Sequence, residues 1–103
     1  LYPHSSVSKT YTSWKKNYTG ASGLMGVVLK NTTPTKIKKA INQSKVFNIG
    51  YSWGGFESMA LPGHLGNREF KNEYSDNNLI RLHIGLEHID DILEDLKKFL
   101  AAL

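Results

Sequence analysis

Residues 79–103 read LIRLHIGLEHIDDILEDLKKFLAAL, and a change of period within this stretch decides the fold. Its first six residues alternate, with Ile80, Leu82 and Ile84 on one side of an extended chain and Leu79, Arg81 and His83 on the other. From Ile89 onward the apolar residues recur at intervals of three and four, which is typical of an amphipathic helix. The stretch therefore predicts a strand with one buried face, followed by a helix that packs against the core.

The preceding elements are shorter but follow the same two periods. Apolar runs predict strands at 24–29, 46–49 and 59–61, and the Thr33-Pro34 pair predicts the start of a helix in which Ile37 and Ile41 are buried. We expect a short helix with Tyr11, Trp14 and Tyr18 on one face. We also expect residues 62–78 to form a long surface loop. The order predicts an α+β, two-layer domain with a mainly antiparallel sheet of about four strands and helices on one face.

Length and composition restrict the class of protein further. The chain has 103 residues, which is enough for a single domain. It contains no apolar run close to the roughly 18 residues of a membrane span, no secretory signal pattern and no cysteine, so we expect no membrane association, disulfide or thiolate metal site. Because the first residue is Leu1 rather than methionine, we interpret residues 1–103 as a fragment of a longer protein.

The net charge of +4 conceals two halves of opposite sign. Residues 1–50 contain eight lysines and no acid, a charge of +8, whereas residues 51–103 contain five basic residues and nine acids, a charge of −4. A basic half can bind nucleic acid or another polyanion. The alternative is a solvated face or packing between the two halves, and the absence of arginine from the basic half favours it. We therefore expect no nucleic-acid partner.

Two places in the chain are candidates for binding chemistry. The first is Tyr51-Ser52-Trp53-Gly54-Gly55, where paired glycines permit close approach of a ligand but are also typical of a structural turn. The second is Arg81, a cation on a half-buried strand that needs a partner. That partner is either an internal carboxylate, with Glu57 and Glu87 as candidates, or the carboxylate or phosphate of a ligand held by two parallel hydrogen bonds.

The other reactive side chains are weaker candidates. His64, His83 and His88 would have to converge with a carboxylate to hold a metal, and we expect no metal site. Lys9 lies in a polar stretch, which predicts a surface residue rather than the desolvated lysine that covalent catalysis requires.

The two candidate segments together resemble a known family. Residues 51–58, YSWGGFES, followed some twenty residues later by 79–87, LIRLHIGLE, are similar to the C-terminal domain of the cystathionine β-lyases. These enzymes belong to the pyridoxal-phosphate-dependent Cys/Met metabolism family, of the aspartate-aminotransferase fold type. Residues 18–24 also resemble the entry into the first strand of that domain, so the resemblance covers about residues 12–100. Relatives that act at the γ-carbon usually have leucine where this chain has Trp53.

The resemblance implies a role for each matched residue. Arg81 binds the substrate α-carboxylate bidentately, Ser52 helps to fix that carboxylate, and Trp53 forms a wall of the substrate site. Tyr51 is a further substrate-binding residue. It also implies a cytoplasmic, homo-oligomeric enzyme of methionine biosynthesis that cleaves cystathionine, with pyridoxal phosphate as its electron sink.

The residues that hold the cofactor in such enzymes have no match in this chain. The resemblance therefore implies that residues 1–103 form the C-terminal small domain of a lyase, without the large cofactor-binding domain. Such a domain contains no catalytic residue, and we expect it to be inactive when isolated from the remainder of its own chain. A γ-synthase or γ-lyase domain, and a separate polyanion-binding module, remain alternatives.

Overall fold

The computed structural model describes residues 6, 8–65 and 78–103, and their order of helices and strands matches the prediction. Most of the predicted surface loop, residues 66–77, lies outside the described residues. None of the described helices is long and apolar enough to span a membrane. The elements are α1 (Tyr11–Asn17), β1 (Leu24–Val28), α2 (Pro34–Gln43), β2 (Asn48–Ile49), β3 (Met59–Pro62), β4 (Leu79–His83) and α3 (Ile89–Ala101).

The four strands form one mixed sheet in the order β1-β4-β3-β2. The central strand β4 is antiparallel to both of its neighbours, whereas β2 at the edge is parallel to β3. The prediction of a mainly antiparallel, α+β domain is therefore confirmed, with one parallel pairing that it did not include. Because β2 and β3 run in the same direction, the loop of residues 50–58 has to carry the chain back along the sheet before β3 begins. We call residues 50–58 the crossing loop.

The hydrophobic core lies between one face of this sheet and the two longer helices. Ile80 and Leu82 of β4 and Ala60 of β3 contribute from the sheet. The helices contribute Ile37, Ala40 and Ile41 from α2 and Ile92 and Phe99 from α3. Thr33 caps α2 as predicted, accepting a hydrogen bond from the backbone N–H of Lys36 at 3.4 Å, with Pro34 in the first turn.

The alternation of β4 agrees with the prediction at its core positions. Ile80 and Leu82 are buried, and the strand ends at His83, one residue earlier than predicted. His83 is buried as well, although alternation places it with Arg81 on the opposite face of the sheet. It is buried because the crossing loop covers that part of the face, as the hydrogen bonds described below show.

A buried carboxylate joins α3 to the connection between α2 and β2. Asp95 is 5% exposed and accepts hydrogen bonds from the hydroxyl of Ser44 and from the backbone N–H groups of Lys45 at 3.0 Å and Val46 at 2.9 Å. Burial alone would raise the pKa of Asp95, but these hydrogen bonds to its ionised form lower it below the ordinary value. This contact fixes the start of the chain segment that leads into β2.

We expect Asp95→Asn to lower the free energy of unfolding at pH 7 by about 3 kcal/mol, because an amide cannot accept all of these hydrogen bonds. The folded-state pKa is depressed, so the contribution of Asp95 is present above the ordinary value of 3.8 and is lost as the pH falls through the lower folded value. Urea unfolding between pH 7 and pH 3 measures this.

Asp91→Asn is the matched control, because Asp91 is an exposed acid on the same helix. We expect it to change stability by less than about 0.5 kcal/mol. Equal urea midpoints for the Asp95 and Asp91 variants at pH 7 would contradict this role of Asp95.

Candidate functional site

The sheet face opposite the core carries Arg81 and His83 side by side on the central strand. Arg81 is paired in register with Gly26 of β1 and Leu61 of β3, and His83 with Leu24 and Met59. The crossing loop passes over this face, since a Cβ on Gly50 would lie 2.7 Å from the sulfur of Met59. Two polar side chains of the central strand β4 therefore face the backbone of one loop.

Arg81 makes its contacts with carbonyl groups of the crossing loop. Its Nη2 donates to the carbonyl oxygens of Gly50 at 3.1 Å, Tyr51 at 2.7 Å and Ser52 at 3.4 Å. The guanidinium is half-buried, and all of its hydrogen bonds to described residues come from Nη2. Carbonyl dipoles orient the group without neutralising its positive charge.

Neither of the two acids considered as an internal partner pairs with Arg81. The carboxylate of Glu87 instead accepts hydrogen bonds from the backbone N–H of Ser58 at 2.6 Å and from its hydroxyl at 2.7 Å. Glu57 is exposed, and the structure contains no ion pair between it and Arg81. Among the described residues, neither candidate acid pairs with Arg81, and the binding of an external anion stays a prediction.

A recess of about 650 Å³ lies beside Arg81, a size within the range of small-molecule sites. Tyr51, Leu61, Pro62 and His64 are among its lining residues. Gly26, the register partner of Arg81 on β1, also lines the recess and has no side chain to fill the space next to the guanidinium. The arrangement combines one cation with apolar walls, which suits a small molecule that carries a carboxylate or a phosphate.

The three loop residues predicted to bind substrate are all at the surface. Tyr51 is 83% exposed and lines the recess, and Ser52 reaches Arg81 through its backbone carbonyl. Trp53 is 62% exposed and is not among the lining residues of the recess. The structure therefore brings Tyr51 and Ser52 to Arg81, while the role of Trp53 as a wall of the site stays a prediction.

His83 holds the crossing loop at its glycine pair, a contact that the sequence did not predict. Its Nε2 lies 3.0 Å from the carbonyl oxygen of Gly55, and the backbone nitrogen of Gly54 lies 3.2 Å from Nε2 and 3.4 Å from Nδ1. The position of His83 two residues after Arg81 on an alternating strand is the signal that could have found it. Within residues 8–65 and 78–103 no group of three metal-ligating side chains occurs, and His88 caps α3 instead.

The end of the crossing loop is fixed by Ser58, which is fully buried. Its hydroxyl donates to Glu87 and accepts from the backbone N–H of Gly85 at 2.8 Å. The carbonyl of Phe56 accepts from the N–H of Leu86 at 2.7 Å. Burial raises the pKa of Glu87, but the hydrogen bonds from Ser58 outweigh it, and the net effect is a lowered pKa.

The sequence matches a family model over nearly its whole length. Residues 1–101 match the Cys/Met metabolism PLP-dependent enzyme family, and the chain belongs to that family. It is 39% identical to the cystathionine β-lyase of Escherichia coli over 94 residues, which are 86% of this chain and 24% of that enzyme. It is 38% identical to the cystathionine β-lyase of Bordetella avium over 90 residues, 84% of this chain and 22% of that enzyme.

A solved structure shares the fold described above. The cystathionine γ-lyase of Lactobacillus plantarum, complexed with L-serine, superimposes with a TM-score of 0.75 at 24% identity. The superposition covers 98% of this chain and 28% of that one. The chain thus spans about a quarter of the length of the relatives that it matches.

Gly85 allows the crossing loop to approach β4 closely. A Cβ there would lie 2.2 Å from the carbonyl oxygen of Phe56 and 2.6 Å from the backbone nitrogen of Ser58, so backbone would have to move. We expect Gly85→Ala to lower the free energy of unfolding by about 2 kcal/mol or more, measured by urea unfolding. Gly55→Ala is the control, because a Cβ there has no atom within 4 Å. Equal stability of the two variants would contradict the close approach at Gly85.

Proposed function

We propose that this chain is the C-terminal, substrate-recognition domain of a cystathionine β-lyase. In the intact enzyme the reaction is the pyridoxal-phosphate-dependent α,β-elimination of cystathionine to homocysteine, pyruvate and ammonia, a step of methionine biosynthesis in the cytoplasm. Family membership and the similarity to two bacterial cystathionine β-lyases support the proposal. The large domain of its own chain and further copies of the enzyme are the partners that this proposal requires.

The proposal depends mainly on one observation: Arg81 is half-buried and pairs with no described acid. A half-buried guanidinium costs free energy unless its charge is compensated, and no described acid pairs with it. It borders a recess of about 650 Å³ that is open to solvent on the side of Tyr51. The α-carboxylate of an amino-acid substrate supplies the missing charge and matches the planar fork of arginine.

The distances from Arg81 to the loop carbonyls indicate which of these hydrogen bonds the substrate carboxylate replaces. A carboxylate held by two parallel hydrogen bonds uses one N–H of Nη2 together with a neighbouring N–H of the guanidinium. Nη2 already donates to three carbonyls, of which Ser52 at 3.4 Å is the most distant. We therefore expect the substrate carboxylate to replace the Ser52 carbonyl and to accept a hydrogen bond from the Ser52 hydroxyl.

The described residues do not fit the covalent attachment of pyridoxal phosphate. A lysine that forms such a bond has to be desolvated in a pocket, whereas every described lysine, Lys9 included, is exposed. We therefore assign the cofactor to the remainder of the enzyme, and to this chain the binding and orientation of the substrate. This division also implies that the chain alone is inactive.

The choice of a β-lyase over a γ-acting relative rests on Trp53. The relatives that act at the γ-carbon usually have leucine at this position, and the chain also shares its fold with a cystathionine γ-lyase. An indole is larger and more rigid than a leucine side chain, but Trp53 does not line the recess beside Arg81, so the choice rests on the residue type at this position. A cystathionine γ-lyase or γ-synthase domain is the alternative assignment.

The role of Arg81 is tested in the intact enzyme that contains this chain. We expect Arg81→Ala to lower kcat/KM for cystathionine about 100-fold, mainly through KM, because a charged double hydrogen bond is lost. Arg81→Lys should recover only part of this loss, since an ammonium group cannot form the fork. Steady-state kinetics with cystathionine measures both.

Lys97→Ala is the control for loss of a positive charge, because Lys97 is exposed on α3. It should leave kcat/KM within about twofold of the parent enzyme. An Arg81→Ala enzyme with an unchanged kcat/KM would refute the carboxylate role.

A further inference from the structure

We propose that His83 is a positioning residue, which bridges Gly54 and Gly55 and thereby fixes the crossing loop relative to Arg81. Neither the family match nor the similarity to other lyases assigns this residue a role. The part of the proposal that concerns substrate rests on the proposed function. The part that concerns the loop stands on the geometry of the described residues alone.

The imidazole contacts the peptide groups on both sides of the Gly54–Gly55 peptide bond. With its proton on Nε2, His83 donates to the carbonyl of Gly55 at 3.0 Å. The backbone nitrogen of Gly54 lies 3.2 Å from Nε2 and 3.4 Å from Nδ1, so its N–H faces the ring and not the lone pair of one nitrogen. The proton is assigned to Nε2 because the carbonyl of Gly55 requires a donor. A side chain with only donors or only acceptors satisfies one of the two peptide groups.

The loop needs such a bridge because its middle section packs against little else. A Cβ on either Gly54 or Gly55 would have no atom within 4 Å, so neither glycine has close neighbours on that side. Gly54 has a φ of +83°, a conformation that glycine adopts readily and that contributes no side-chain contact. Trp53 and Phe56, which flank the glycines, are 62% and 71% exposed. Hydrogen bonds to β4 therefore take the place of packing.

The same strand holds the loop at two successive points on one face. Arg81 contacts the carbonyls of Gly50, Tyr51 and Ser52, and His83 contacts the next peptide groups after Trp53. His83 is only 7% exposed, and its backbone lies in the central strand between β1 and β3. Trp53 lies between these two fixed points, directly after Ser52, whose carbonyl is the most distant contact of Arg81. Loss of His83 thus frees the residues that border the carboxylate site without touching Arg81 itself.

Hydrogen–deuterium exchange of the intact enzyme, followed by mass spectrometry of peptides, tests the bridge. We expect His83→Leu to increase the exchange rate of peptides from residues 50–56 at least tenfold, with unchanged exchange for peptides from α2. His83→Gln keeps one donor and one acceptor, and it should restore at least half of the protection, on a logarithmic scale, relative to His83→Leu. Unchanged exchange of residues 50–56 in His83→Leu overturns the proposal, and so does an equal increase in α2, which would indicate general destabilisation.

Kinetics of the same variants test the consequence for substrate. We expect His83→Leu to raise KM for cystathionine about tenfold with kcat changed less than about threefold, and His83→Gln to lie between His83→Leu and the parent. A faster-exchanging loop with an unchanged KM overturns the positioning role. The proposed function is tested separately by the Arg81→Ala experiment. If that experiment contradicts the proposed function, the exchange measurement still tests whether His83 fixes the crossing loop.

Discussion

The hydrogen bonds between side chains of β4 and the backbone of the crossing loop are the constraint on which the site depends. Because β2 pairs in parallel with β3, residues 50–58 return along the sheet, and their aromatic side chains Tyr51, Trp53 and Phe56 are exposed and do not pack in the core. Arg81, His83 and the segment around Gly85 hold it at three successive points along one direction. The central strand thereby sets the shape of a loop that is far from it in sequence.

These contacts use backbone groups of the loop, which explains the limits of prediction from the sequence. Alternation and helical periodicity predicted β4, α2 and α3 close to their observed bounds, and they placed Arg81 and His83 on one face of the sheet. They could not predict that β2 pairs with β3 in parallel, because the direction of pairing depends on the path of the loop between the two strands. They also could not predict the partner of His83, since a peptide group carries no signature in the sequence. The partner of Asp95 was missed for the same reason.

Two buried or half-buried acids of the chain serve backbone structure rather than Arg81. Asp95 accepts hydrogen bonds from backbone N–H groups before β2, and Glu87 accepts hydrogen bonds from Ser58 before β3. Both have a lowered pKa because hydrogen bonds to the ionised form outweigh the cost of burial. Each therefore fixes one end of the segment that contains β2 and the crossing loop. Neither is free to neutralise the arginine that this segment contacts.

Among the described residues, this distribution of charge leaves Arg81 held by loop carbonyls without a paired acid. A carboxylate beside Arg81 would hold the guanidinium in place but would also compete with an incoming anion. Carbonyl oxygens orient the group and, as dipoles, leave its net charge intact. The loop that carries these carbonyls is fixed by His83, Ser58 and Gly85. If Arg81 binds the substrate carboxylate as proposed, residues that do not touch this carboxylate therefore support its recognition through the loop.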